Sequence, residues 1–165
     1  MNAREFDMVI AGAGPAGAAA AIKLARAGKR VALVDRAGFP RAATGAGWLN
    51  LKARPLLDEL KAPLDDVLAH PFQQVTFHNA ELTKSSSPRL KDSIGFLVDR
   101  TRFDNALVDA ATQAGATLHV GHEISAIDPL EDRVVVHRGA AEAVVGRFLL
   151  LAAGRGTPWL DRLKF

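Results

Sequence analysis

Phe6-Asp7-Met8-Val9-Ile10-Ala11-Gly12-Ala13-Gly14-Pro15-Ala16-Gly17 is the stretch that decides how the rest of this chain is read. An apolar run, Met8 to Ala11, ends in a glycine-rich turn that passes directly into an alanine-rich segment, Ala18 to Ala27. The pattern predicts a buried strand, a tight turn and a helix, with G-x-G-x-x-G at the junction. Each glycine has its own physical task. Gly12 lets the chain turn sharply, Gly14 lets backbone N–H groups come close to a pyrophosphate, and Gly17 lets the helix pack against the strand. The helix start, with Ala13, Pro15 and Ala16 set among those glycines, presents unpaired amides and a partial positive charge to phosphates. Pro15 suits the first helical turn, where its missing N–H costs nothing.

The context lengthens the motif. Gly17, Ala21, Leu24 and Ala25 share one helical face, and Gly28 follows as a C-terminal stop. Arg30 to Val34 then reads as a second strand ending at Asp35, where a parallel neighbour delivers an acid to adenosine ribose hydroxyls. The competing reading is a plain strand-helix-strand unit whose glycines serve only for turning. Next comes an irregular stretch rich in glycine and arginine, Arg36 to Gly47. Arg36 follows the acid directly, Arg41 sits behind Phe39-Pro40, and Gly45 and Gly47 would admit a flat ligand close to the backbone.

A length of 165 residues makes this one domain, or one large piece of a domain. With 48% hydrophobic and 24% charged residues the chain can bury a core, and disorder is not expected. The absence of cysteine excludes disulfides, thiolate metal sites and a cysteine nucleophile. His119 and His122 are close in sequence but lack a third ligand, so no metal is expected. No apolar run reaches the ~20 residues that span a bilayer, and the charged start is unlike a secretory signal, so a cytoplasmic location is expected. A net charge of +3 suits a phosphate-bearing ligand or a solvated surface, and without a Lys/Arg run nucleic acid is not an expected partner.

Further along, Trp48 to Leu60 reads as a helix with an apolar stripe of Leu49, Leu56, Leu57 and Leu60, Pro55 either starting or kinking it. A loop is expected over 61–71. Gln74 to Ala80 (Val75 and Phe77 on one face) and Ile94 to Val98 read as strands, with Lys84 to Arg89 a polar turn. Asp99 to Ala114 is a second strong helix, carrying Phe103, Ala106, Leu107, Ala110 and Ala111 at helical spacing and ending at Gly115. Arg100 in its first turn opposes the helix dipole, so a negative charge should accompany it: Asp104 or a cofactor phosphate. Ala116 to Val120 is a third parallel strand. Then, in place of a helix, three short β runs follow, at Glu123 to Ile127, Arg133 to His137 and Glu142 to Val145. Phe148 to Gly154 reads as a fully buried strand returning to the sheet. An ordinary dehydrogenase makes such crossovers with helices.

On these residues the chain resembles the N-terminal half of a glutathione-reductase-like flavoprotein. Within that superfamily it is most similar to the geranylgeranyl-reductase, aromatic-hydroxylase (monooxygenase) and tryptophan-halogenase-like branch. The resemblance rests on the fingerprint from Gly12 through Ala21, Leu24, Gly28 and Val31 to Asp35, and on Phe39-Pro40-Arg41 followed by Gly45-Ala46-Gly47. Val98-Asp99-Arg100 with Phe103-Asp104 and Leu107 resembles the family's arginine helix, and Leu151 to Thr157 its strand-plus-glycine segment. The implied fold is α/β, a Rossmann-like FAD/NAD(P)-binding parallel sheet with a β-meander crossover. The implied cofactor is FAD. Gly12, Gly14 and Gly17 would cradle its pyrophosphate, Asp35 would bind the adenosine ribose, Arg36 would lie along the adenosine, and Arg41 near the ribose or phosphates. Arg100 would contact the pyrophosphate or ribityl region, Ile124 would offer backbone groups to the adenine, and Gly154 would allow close packing beside the cofactor.

Two departures stand out. Reductase-like members carry Lys-x-Cys-Gly near the flavin, where this chain has Ala42-Ala43-Thr44-Gly45. The resemblance also implies a later Gly-Asp segment and a substrate-binding sheet, neither of which lies within residues 1–165, so the whole chain is expected to be an N-terminal FAD-binding domain. No residue is singled out as catalytic; Asp99, Asp104 and His122 read more simply as surface or capping groups. The leading expectation is the FAD-binding portion of a flavin-dependent oxidoreductase with a small-molecule substrate and NAD(P)H as a candidate reductant. The alternatives are a non-catalytic nucleotide-binding module, or half of a split flavoenzyme completed by another chain, and then an NAD-dependent dehydrogenase.

Overall fold

An apolar run flanked on both sides by parallel neighbours has no solvent face, and β1 (Phe6–Ala11) shows it: Val9, Ile10 and Ala11 are fully buried. It pairs in parallel with β2 (Val31–Val34) on one side and with the last strand of the chain on the other. The computed structural model describes residues 5–43, 45, 47–68, 70–89, 91–139, 142–154 and 157–163. The expected lead-in before Glu5 and the positions Thr44, Ala46, Arg155 and Gly156 of the motifs quoted above lie outside the described residues. The chain forms two compact units, one of residues 1–41 with 104–165 and one of residues 42–103.

In the first unit the helix α1 (Pro15–Arg26) opens directly from the glycine turn. It closes in a Schellman arrangement, with Lys29 N donating to Leu24 O, Gly28 N to Ala25 O, and Gly28 at φ +76°. The helix α3 (Arg100–Gln113), most of which belongs to this unit, ends the same way at Gly115. It feeds β8 (Thr117–His119), which lies parallel to β2. A meander follows: β9 (Ile124–Pro129), β10 (Val134–Arg138) and β11 (Glu142–Leu151). The six strands run in the order β8-β2-β1-β11-β10-β9. A short helix α4 (Trp159–Arg162) sets Trp159 into the core formed by Val9, Ala32, Val34, Ile127, Val134, Val136 and Val144.

The expected third meander strand and the expected returning strand are one. β11 is antiparallel to β10 through residues 142–146 and parallel to β1 through residues 146–151. Gly146 is the hinge point, since a Cβ there would come within 2.8 Å of Val9 Cγ2. The returning part is not fully buried either. Leu149 and Leu151 pack on the core, while Phe148 and Leu150 on the opposite face are 59% and 37% exposed.

The second unit departs further from the sequence reading. Trp48 to Leu60 is not one helix but β3 (Trp48–Asn50), a 3-10 turn (Leu51–Ala53) and α2 (Arg54–Glu59). Two local features override the leucine spacing. Gly95 lacks the Cβ that would strike the Trp48 indole and Leu49 O, so β3 pairs with β7 (Gly95–Leu97), which also pairs with β4 (Pro71–Phe72). The Asn50 side chain then accepts from Lys52 N, and Pro55 sits in the first turn of α2. Of the expected stripe, Leu57 and Leu60 are buried and Leu56 is exposed. The strand expected over Gln74 to Ala80 shrinks to β5 (Phe77–His78), paired with β6 (Ser85–Ser86) inside the expected polar turn. The turn itself comes earlier, where Asn79 accepts from Lys84 N and donates to Glu81 and Thr83.

β1 and β2 are also locked by Asp7 and Arg30. Arg30 N donates to Asp7 Oδ2 at 2.8 Å and Arg30 Nη2 to Asp7 Oδ1 at 2.9 Å. The guanidinium hydrogen bond first, and the amide bond second, hold the Asp7 carboxyl down at about 2. A carboxyl lowered on folding stabilises the fold above the ordinary carboxylate range, and that contribution is lost as pH falls through about 2. Denaturation midpoints measured from neutral pH down to this range should fall less steeply in Asp7→Asn than in the parent chain. An unchanged acid slope would contradict the assignment.

Candidate functional site

At the C-terminal edge of β1 the three glycines of the fingerprint prove to differ. Gly12 adopts φ +109°, and a Cβ on it would collide with the Ala152 carbonyl and the Ala153 Cα just beyond β11. A Cβ on Gly17 would collide with the Gly12 carbonyl and approach Ile10 Cγ2 at 3.2 Å. Both glycines are therefore required by contacts within the chain. Gly14 is not. Its φ of −68° suits any residue, and a Cβ there would meet just the end of the Arg41 side chain, at 3.9 Å.

Gly14 is also the N-cap of α1 and provides no side-chain cap. Pro15 has no N–H and the first turn contains no acid. The amides of Ala16 and Gly17 therefore face the turn with no capping side chain, and the positive end of the helix dipole lies behind them. Such an edge is suited to an anion.

Asp35 is brought directly to this turn. Its Oδ2 accepts from Ala13 N at 2.8 Å and its Oδ1 from Ala37 N at 3.0 Å. Asp35 N in turn donates to His119 O at the end of β8. Arg41 joins the group: its Nη2 stands 3.8 Å from Asp35 Oδ2 and 3.9 Å from Asp104 Oδ2, and its guanidinium lies over the Phe39 ring at 5.1 Å. Arg36 points elsewhere, to an exposed ion pair with Glu123 at 3.6 Å, one residue before Ile124. Ile124 is half-buried at the start of β9, opposite Arg138 across a register shift. Gly154 takes φ +77°, and a Cβ on it would meet nothing within 4 Å. Arg100 belongs to the second unit, where a Cβ on Gly45 would come within 2.9 Å of its Nη1.

Asp99 caps α3 as read from the sequence, accepting from Thr101 N at 2.8 Å. Asp104 does not fit that reading, because it is fully buried. The signal was present in the sequence. Asp104 falls on the helical face of Leu107, Val108 and Ala111, all buried, and an acid within an apolar stripe must be matched by a positive group.

A family model for FAD dependent oxidoreductases matches residues 7–156. The chain belongs to the FAD dependent oxidoreductase family. Among curated relatives of this family member, a tryptophan 2-halogenase of Chondromyces crocatus is 32% identical over 90% of the chain and 30% of its own length. A menaquinone reductase of Mycobacterium tuberculosis is 32% identical over 92% of the chain and 38% of its own length. The chain thus spans about a third of the length of the curated relatives it matches. Among solved structures, the halogenase PltM in complex with phloroglucinol and FAD aligns with a TM-score of 0.75 at 24% identity, over 96% of this chain and 36% of that one. A geranylgeranyl bacteriochlorophyll reductase-like protein from Thermoplasma acidophilum aligns with a TM-score of 0.73 at 19% identity, over 91% and 39%. These likenesses establish the fold. The meander in place of a helical crossover is what separates this flavoprotein family member from the NAD-dependent dehydrogenase considered above.

The unequal roles of the glycines are measurable without any ligand. Gly12→Ala and Gly17→Ala should each lower stability by about 1–3 kcal/mol through overpacking, and Gly14→Ala should stay within roughly 0.5 kcal/mol of the parent. Urea denaturation of the three variants checks this; equal losses at all three positions would refute it.

Proposed function

We propose that residues 1–165 form the FAD-binding domain of a flavin-dependent oxidoreductase, with the anion-ready edge at Gly14 receiving the FAD pyrophosphate. The observation that carries the reading is the space at Gly14. Gly12 and Gly17 are required by the protein's own atoms, whereas the missing side chain at Gly14 leaves room beside amides that have no capping side chain. The donor set fits a dinucleotide. Arg41 Nε is buried with no hydrogen-bond partner among the described residues, a charged donor of the kind phosphates satisfy.

In this reading the amides of Ala16 and Gly17 and the helix dipole hold the pyrophosphate, with Arg41 alongside, while the Ala13 amide holds Asp35. Asp35 already spends one lone pair of each oxygen on Ala13 N and Ala37 N. Its remaining lone pairs would accept the adenosine ribose hydroxyls, and the two amides fix the carboxylate in advance so that little ordering entropy is lost on binding. Arg36 and the backbone of Ile124 lie along the adenosine side, and Gly154 adjoins the cofactor. When bound, the flavin supplies hydride transfer or dioxygen activation, and the protein supplies placement and exclusion of water. A small-molecule substrate, NAD(P)H as reductant and a cytoplasmic location go with this reading.

A second reading is favoured by the exposed face of β11. Phe148 and Leu150 stand open beside the sheet's parallel half, as expected if further polypeptide, in the same chain or another, covers them in the working enzyme. A neighbouring coding sequence for a substrate-binding sheet would support it; full turnover by residues 1–165 alone would exclude it.

Titrating the apoprotein with FAD tests the principal reading. Flavin fluorescence should be quenched on binding, and Gly14→Val should abolish uptake while leaving the melting temperature near that of the parent. Uptake of NADH without FAD, or undiminished FAD affinity in Gly14→Val, would overturn it.

A further inference from the structure

Resting on the FAD-binding reading above, we propose that Asp104 is a positioning residue for the cofactor site, holding the Arg41 guanidinium beside Gly14. Three observations converge. Asp104 is fully buried within the apolar stripe of α3, and its carboxylate faces the Arg41 guanidinium there. Arg41 Nη2 lies between two acids, 3.9 Å from Asp104 Oδ2 and 3.8 Å from Asp35 Oδ2, and 3.9 Å from where a Gly14 Cβ would stand. The Phe39 ring under the guanidinium fixes its remaining face. An arginine tethered by Asp35 alone would compete with the ribose for that carboxylate. A second acid, on a different element, lets Arg41 stay in place while the fixed Asp35 carboxylate offers its free lone pairs to the ligand.

Asp35, Asp104 and Arg41 together carry one net negative charge. If Asp104 acted through its charge alone, removing it would favour an anionic ligand and tighten FAD binding. If it positions Arg41, removing it loosens an otherwise pre-organised contact and weakens binding.

The test compares the parent chain with Asp104→Asn, Arg41→Met and the double variant by FAD titration. The expected result is roughly tenfold weaker FAD binding in Asp104→Asn, as for one lost charge-assisted contact, and no further loss when Asp104→Asn is added to Arg41→Met. Tighter or unchanged binding in Asp104→Asn, or additive losses in the double variant, would overturn it. NMR of the ligand-free parent chain gives a measurement that needs neither FAD nor a folded variant. Rotation of the Arg41 guanidinium should be slow compared with that of the exposed Arg36, and equally fast rotation would overturn the assignment. Failure of the parent to take up FAD, with Arg41 nonetheless held, would sink the FAD-binding reading and, with no FAD site to serve, the proposal that Asp104 positions Arg41 for it.

Discussion

The Asp35 carboxylate bonded to Ala13 N is the contact on which the arrangement of the first unit turns. It ties the exit of β2 to the turn that follows β1, two points far apart in sequence and adjacent only because the strands are parallel neighbours. With Ala37 N on its other oxygen, the carboxylate is fixed by two backbone donors and cannot swing. The amide edge at Gly14, the Arg41 guanidinium and the acid thus share one end of the sheet, the crevice beyond the carboxyl ends of parallel strands where such folds bind ligands.

The glycine-rich turn shows how one motif meets two kinds of demand. Gly12 and Gly17 belong to packing: they let the turn touch the backbone beyond β11 and let α1 lie on β1. Gly14 is not required by the protein's own packing, which is what leaves it for recognition in the proposed reading. A motif search treats the three alike. The energetic consequences differ, since the first two resist any added methyl through steric overlap and the third does not.

The meander explains why the acid site sits in an open sheet of mixed direction. β11 runs antiparallel to β10 and then parallel to β1 without a break, with Gly146 where the two pairings meet. Nothing between Val145 and Phe148 in the sequence marks whether the chain turns or continues. The strand continues because each half finds a different partner, a choice made by neighbours distant in sequence. For the same reason Phe148 and Leu150 could not be recognised as open to solvent from an apolar run alone.

What the sequence determined by itself was local: the β1 turn, both glycine-terminated helices, the three β runs of the crossover and the acid at the end of β2. Each follows from hydrophobic period or from a glycine at a positive φ, information carried by adjacent residues. The tertiary structure decided what depends on a partner far along the chain. Gly95 made Trp48 to Asn50 a strand despite the helical spacing of nearby leucines, and Asn79 placed the hairpin turn. It also buried Asp104, which short-range reading left at the surface, beside Arg41. The cost of a buried charge is set by what surrounds it in space, and the helical spacing that puts Asp104 on a buried face does not name Arg41 as its partner.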